Sequence, residues 1–273
     1  VVVKNIKFHL LVLLTLLIQG CGSGFFRFPA VVIPPQPTIA DFPDSGAVVL
    51  NDVRSVDFRL SETRGRTRLI AIETHHRRMK VLSKHGLKET TISLSIDGFS
   101  TVTNIVARAL RLDGTVVEMR RDAIRNSTGV DSNPNASQLG QVVFTIPGAQ
   151  VGGIIEYYYE RVYTEPDMIP VWVLGDRLPV LRSELSLSSD PFVKFQYRFG
   201  RGPRLVDANP LLRSTEDGRD RLVFVESNLP VIHSELGSPH PAWLSPWVAV
   251  VVSSAQIGGR KYRMETWAHV GER

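Results

Sequence analysis

Residues 141–163, QVVFTIPGAQVGGIIEYYYERVY, carry the strongest secondary-structure signal in the chain, and it is a β signal. Successive side chains of a strand point to opposite faces, so Val142, Phe144 and Ile146 share one side. Pro147-Gly148 stops that strand, and Gly152-Gly153 lets the chain turn back. On the return, Ile155, Tyr157, Tyr159 and Tyr163 share a face. Glu156 and Glu160 lie on the other, among Ile154, Tyr158 and Val162. A strand–turn–strand hairpin is expected, with Tyr157 in the core. Gly148 and at least one of Gly152 and Gly153 should adopt backbone conformations closed to side chains. Alternation resumes from Leu181 to Leu187.

The rest of the chain reads the same way. Short strands are expected over 47–50, over Val56, Phe58 and Leu60, and along 69–82, where His75-His76-Arg77-Arg78 interrupts the apolar pattern. Lys84-His85-Gly86 reads as a turn, and Thr90, Ile92, Leu94 and Ile96 as one face of a half-buried strand. Residues 104–112 and 115–119 flank Asp113-Gly114, which suits a two-residue type I′ turn. Residues 126–140, rich in Asn, Ser and Gly, predict a loop. Further strands are expected at 193–199, 222–225 and 247–252, and a 3.6-residue period begins only at 262–270. The prediction is an all-β fold, a large antiparallel two-sheet β-sandwich spanning 41–254. Residues 255–273 would be a linker holding a short helix start.

The first forty residues differ in kind. Lys4 and Lys7 precede an apolar run from Leu10 to Ile18, then Gly20-Cys21. A basic start, a short apolar stretch and a small residue before the cut make an export signal. The run is shorter than the ~20 apolar residues needed to span a bilayer. Residues 1–20 resemble a bacterial lipoprotein signal, which implies that Cys21 is acylated and becomes the mature N-terminus. Two or more acyl chains anchor stably. Gly22 after the cysteine favours an outer-membrane lipoprotein, facing the periplasm or the cell surface. Residues 21–40 then read as a Pro/Gly tether, with Phe25, Phe26 and Phe28 available to lipid headgroups.

The formal charge is +5. Loss of Lys4 and Lys7 with the signal removes two of these, leaving +3. The basic residues are mostly arginines scattered through strands beside acids, which argues against a nucleic-acid partner. The single cysteine excludes an internal disulfide and a cysteine-based zinc cluster.

Several stretches have a familiar order and spacing: DFPDSGAVVL (41–50), KVLSKHG (80–86), NIVARALRLDGTVVEM (104–119), FTIPGAQVGGIIEYYY (144–159), LPVLRSELSLS (178–188), ESNLPVIHSE (226–235) and PWVAVVVSS (246–254). Together they resemble the β-rich domain of unknown function that precedes transglutaminase-like domains in exported bacterial proteins. The resemblance covers about 41–254. It implies a non-catalytic sandwich in front of a papain-like domain with a Cys-His-Asp set. No position here matches a member of that set.

Candidate sites are few. Cys21 is committed to processing, and no Gly-x-Ser-x-Gly elbow occurs, so no catalytic residue is assigned and no cofactor is expected. His75 and His76 are strand neighbours and point to opposite faces. His233, Glu235 and His240 share a Pro-rich loop and are weak metal candidates, without a zinc-site spacing. Trp172, Trp243 and Trp247, with the tyrosines 157–159, are candidates for a glycan platform, although strand aromatics are more often core. Glu156 and Glu160 should stand about 13 Å apart along a strand, too far for a glycosidase pair. The expected function is a lipid-anchored module that docks or positions a partner, normally a transglutaminase-like domain. The alternatives are the front piece of a truncated enzyme of that kind and a glycan-binding module.

Overall fold

The structure is a computed structural model that describes residues 26–28, 37–63, 65–128, 140–166, 169–206, 210–216, 218–233, 237 and 244–263. Sixteen strands dominate the described residues. They are β1 (Ala47–Thr63), β2 (Arg66–Val81), β3 (Thr91–Ile96), β4 (Ser100–Leu110), β5 (Val116–Glu118), β6 (Arg125–Thr128), β7 (Gly140–Thr145) and β8 (Ile154–Tyr163). Then follow β9 (Trp172–Val173), β10 (Val180–Ser189), β11 (Val193–Arg201), β12 (Arg204–Leu205), β13 (Leu212–Glu216), β14 (Arg219–Leu229), β15 (Pro246–Ile257) and β16 (Arg260–Arg263). Residues 84–90 form a 3-10 turn.

The chain is an all-β sandwich. Its large sheet has eight strands in the order β13-β14-β10-β1-β2-β8-β4-β5. One inner face of that sheet meets two smaller ones: β12-β11-β15-β16 with β9 attached to β15, and β3-β7-β6. Phe58 of β1 touches Phe195 of β11, and Phe224 of β14 packs on Tyr197 and Phe199. At the other end Tyr157 of β8 meets Phe144 of β7. Each such buried side chain contributes roughly 1.5–3 kcal/mol by leaving water.

Three expectations need correction. The sheets are not wholly antiparallel, because β1 and β10 pair in parallel from Val49↔Val180 to Phe58↔Ser189. Residues 141–163 do form two strands, yet they are no hairpin. β7 pairs with β3 and β6, whereas β8 lies between β2 and β4. Alternation reports that a segment is extended, and says nothing of its partner. The tight turn at Asp113-Gly114 is a longer loop: Arg111 N donates across the loop to Thr115 O (2.9 Å), and only Gly114 has positive φ (83°). A type I′ turn would need positive φ at both central residues.

The expectations for the core face and the turn glycines hold, and those for some element boundaries do not. Val142, Phe144, Ile146, Ile155, Tyr157, Tyr159 and Tyr163 are all in the core, and Gly148 and Gly152 have φ of 72° and 83°. The two short strands expected at 47–60 are one strand with a bulge near Leu50. Residues 125–128 of the expected loop form β6, and Tyr262 pairs with Ala255 in β16 instead of opening a helix. The remaining parts of both segments, 129–139 and 264–270, lie outside the described residues.

Candidate functional site

Two polar constellations stand out, one sealed and one open. The sealed one lies on the inner face of β1, β2 and β8. His75 Nε2 is 2.8 Å from Asp52 Oδ1, and His75 Nδ1 is 3.0 Å from the Tyr159 hydroxyl. Arg77 Nη1 donates to Asp52 Oδ2 (2.9 Å) and to Asp176 Oδ2 (2.8 Å), and the Tyr163 hydroxyl donates to Glu73 (2.7 Å). Burial works against the Asp52 charge, but Arg54, His75 and Arg77 hold its carboxyl well below the usual range. Burial pushes His75 down, so the ring is neutral: Nε2–H donates to Asp52, and Nδ1 accepts from Tyr159. This hydroxyl–imidazole–carboxylate series has the order of a proton relay. Asp52, His75 and Tyr159 are all buried, and Asp52 is held by arginines besides. The series therefore has no open end for a substrate and acts as an internal lock between strands.

The open constellation is a cleft at the end of the sandwich where β1 begins and β2 ends. It encloses about 750 Å³, within the range of small-ligand and peptide pockets. Four segments build it: 41–46, 85–89, 177–181 and 228–233. The first two are locked together, because Leu82 N and Ser83 N both donate to Gly46 O (2.8 and 3.1 Å). A Cβ on Gly86 would sit 1.9 Å from that same oxygen, so only glycine allows this approach. Asp176 fixes the third segment by accepting from Leu178 N (3.1 Å) while it also holds Arg77. Ile232 N donates to Asp176 O (2.8 Å), which ties in the fourth.

Phe42, Pro43, Leu178, Pro179, Leu229 and Pro230 give the cleft apolar walls. Glu89 supplies its most unusual group. That side chain is 4% exposed; one oxygen accepts from the largely exposed Arg177, and Oε1 has no hydrogen-bond partner. A buried carboxylate oxygen without a donor is costly. Lys88 Nζ lies 2.6 Å from His85 Nε2 at the rim. The cleft thus combines apolar walls with paired charges at its mouth.

The structure disperses the candidates read from sequence. His233 is exposed at the cleft rim. Glu235, His240, Trp243 and Cys21 lie outside the described residues. Among the described residues no group of three or more His, Cys, Asp or Glu could hold a metal ion. Trp172 is 2% exposed and core-packed, so it offers no face to a glycan. Trp247 is half-buried: its ring closes over Gly200, and its Nε1 donates to Gly202 O (2.9 Å). Both are structural here. His75 and His76 face opposite sides as expected, His76 pairing with Glu156 (2.7 Å). Glu89, Arg177 and Lys88 were not foreseen. The only signal for them was their place beside the KHG and LPV stretches.

A crystal structure of a candidate protease from Parabacteroides distasonis shares the fold with a TM-score of 0.60 at 16% identity, over 75% of this chain and 40% of that one. This chain thus spans less than half of that protein's length. An M1 zinc metallopeptidase from Deinococcus radiodurans (TM-score 0.37, 10% identity, 80% of this chain and 46% of that one) is too distant to support an argument. So is leukotriene A4 hydrolase from Saccharomyces cerevisiae (0.33, 12%, 77% and 30%). No curated protein matches the sequence. The family model for a domain of unknown function with solved structures, DUF3857, matches residues 71–233, more than half of the chain. The chain belongs to the DUF3857 family.

Proposed function

We propose that this chain is a non-catalytic module, exported and lipid-anchored at Cys21, that docks or positions a partner, normally a transglutaminase-like domain. The observation that carries the docking role is the cleft. Four of the stretches behind the family resemblance, 41–50, 80–86, 178–188 and 226–235, supply residues to its walls. Its apolar walls and charged rim have the character of a docking surface for a peptide segment. The sealed state of the Asp52–His75–Tyr159 series supports the non-catalytic reading.

Calorimetric titration of the chain with a transglutaminase-like domain from an exported protein of this family tests the proposal. Pro43 is exposed at the cleft mouth, so Pro43→Arg obstructs the cleft without entering the core. Binding to the parent and its loss in Pro43→Arg are expected. Equal binding by both would move the docking surface elsewhere.

A further inference from the structure

The outer face of the eight-stranded sheet, opposite the core, carries a strap from the N-terminal region. Phe26 lies flat on Tyr158 of β8, with ring centres 3.8 Å apart and planes 2° from parallel. Phe28 meets Phe26 edge-on at 5.3 Å, and the Arg108 guanidinium stands 4.4 Å from its centre. Both rings approach His76, at 5.6 and 5.8 Å. In the same cluster Glu156, 0% exposed, accepts from His76 (2.7 Å) and Arg108 (2.8 Å), with Arg78 at 3.3 Å. Phe26 and Phe28 were expected to be free for lipid headgroups, but they pack on protein.

This contact fixes where the N-terminal end of the domain leaves the fold. Four residues separate Cys21 from Phe26, so the two Cα atoms are at most about 18 Å apart. A compact body of some 220 residues is about 40 Å across, so that length cannot carry Cys21 round to the five-stranded sheet. The charge of the strapped face points the same way. By strand alternation it bears the exposed Arg59, Arg66, Arg68 and Arg221. Its acids Asp57, Glu160 and Glu184 each accept from a neighbour on the protein, and the exposed Glu118 of the edge strand β5 stands opposite Arg108.

We propose that the outer face of the eight-stranded sheet is the membrane-facing side of this molecule. The Phe26–Phe28 strap seats it against the lipid surface, and the exposed arginines meet anionic headgroups. The inference rests on acylation of Cys21, proposed above, and adds an orientation to it.

The test uses the acylated chain on vesicles of phosphatidylethanolamine and phosphatidylglycerol that carry a headgroup-attached quencher. Acylation consumes the Cys21 thiol, so a single fluorophore can be placed at Thr103→Cys on the strapped face or at Gln196→Cys on the far face of β11. The chain should sediment with the vesicles, and the Thr103 label should be quenched severalfold more than the Gln196 label. Phe26→Ser/Phe28→Ser should remain vesicle-bound with that difference largely lost. Vesicles of neutral lipid alone should also weaken it. Sedimentation with equal quenching of the two labels overturns the orientation while leaving the anchor. A difference that survives loss of both phenylalanines overturns the strap. A chain that does not sediment removes the anchor and this inference with it.

Discussion

Tyr157 is 5% exposed between Arg77 of β2 and Phe144 of the three-stranded sheet, and burial pushes its hydroxyl up to about 12. Truncating a buried aromatic costs about 3–5 kcal/mol, and in a body of this size each kcal/mol lowers Tm by roughly 2–4 °C. Tyr157→Ala should therefore melt far below the parent. Arg182→Ala, whose exposed guanidinium only meets Glu184, should melt with it, since exposed pairs contribute about 0–1 kcal/mol. A parent-like melt for Tyr157→Ala would mean that this face is not core. Edge-on to Tyr157, with ring centres 5.7 Å apart, His75 makes stability depend on pH. Its folded pKa is lowered, so the unfolded chain takes up the proton first, near its ordinary value of about 6.5. Acidification below that point favours unfolding until the folded pKa is passed. Asp52, also lowered, contributes above the ordinary carboxylate range and is lost only at more acid pH. Tm should thus fall from about pH 6.5 downward in the parent, and more gently in His75→Asn. Parallel Tm–pH curves would show that His75 is not the group responsible.

At the scale of elements, the strands were legible and their partners were not. The alternation of 91–96, 141–146 and 154–163 reports which residues face the core, because burial acts on one face at a time. It cannot report that β7 and β8 belong to different sheets, or that β1 and β10 run parallel, since pairing depends on residues distant in sequence. For the same reason the Asp52–His75–Tyr159 series was hidden, its members standing on three strands. The cleft was legible only as scattered turn signals. Asp44-Ser45-Gly46 and Lys84-His85-Gly86 each read as a turn, but the close approach of their glycines is a tertiary fact. It makes a sharp prediction. Gly86→Ala drives a Cβ into the Gly46 carbonyl, and overpacking of this kind costs about 1–3 kcal/mol or more. Denaturant unfolding should show a loss at or above the top of that range. A change within error would mean that the two segments separate easily.

For the whole molecule, the proposed docking role makes the sandwich a scaffold and its end cleft the working part. The large sheet holds the fold through a sealed core, and its strapped outer face is the side proposed to meet the membrane. The four converging segments form a surface where a partially unsatisfied carboxylate, Glu89, meets apolar walls. Hydrogen–deuterium exchange of the full chain, with and without a transglutaminase-like domain, tests this most directly. Protection on binding should concentrate in 41–46, 85–89, 177–181 and 228–233, with little change along the already protected centres of β1, β2 and β8. Protection confined to the far face of β11 and β15, with the cleft segments exchanging as in the free chain, would contradict it.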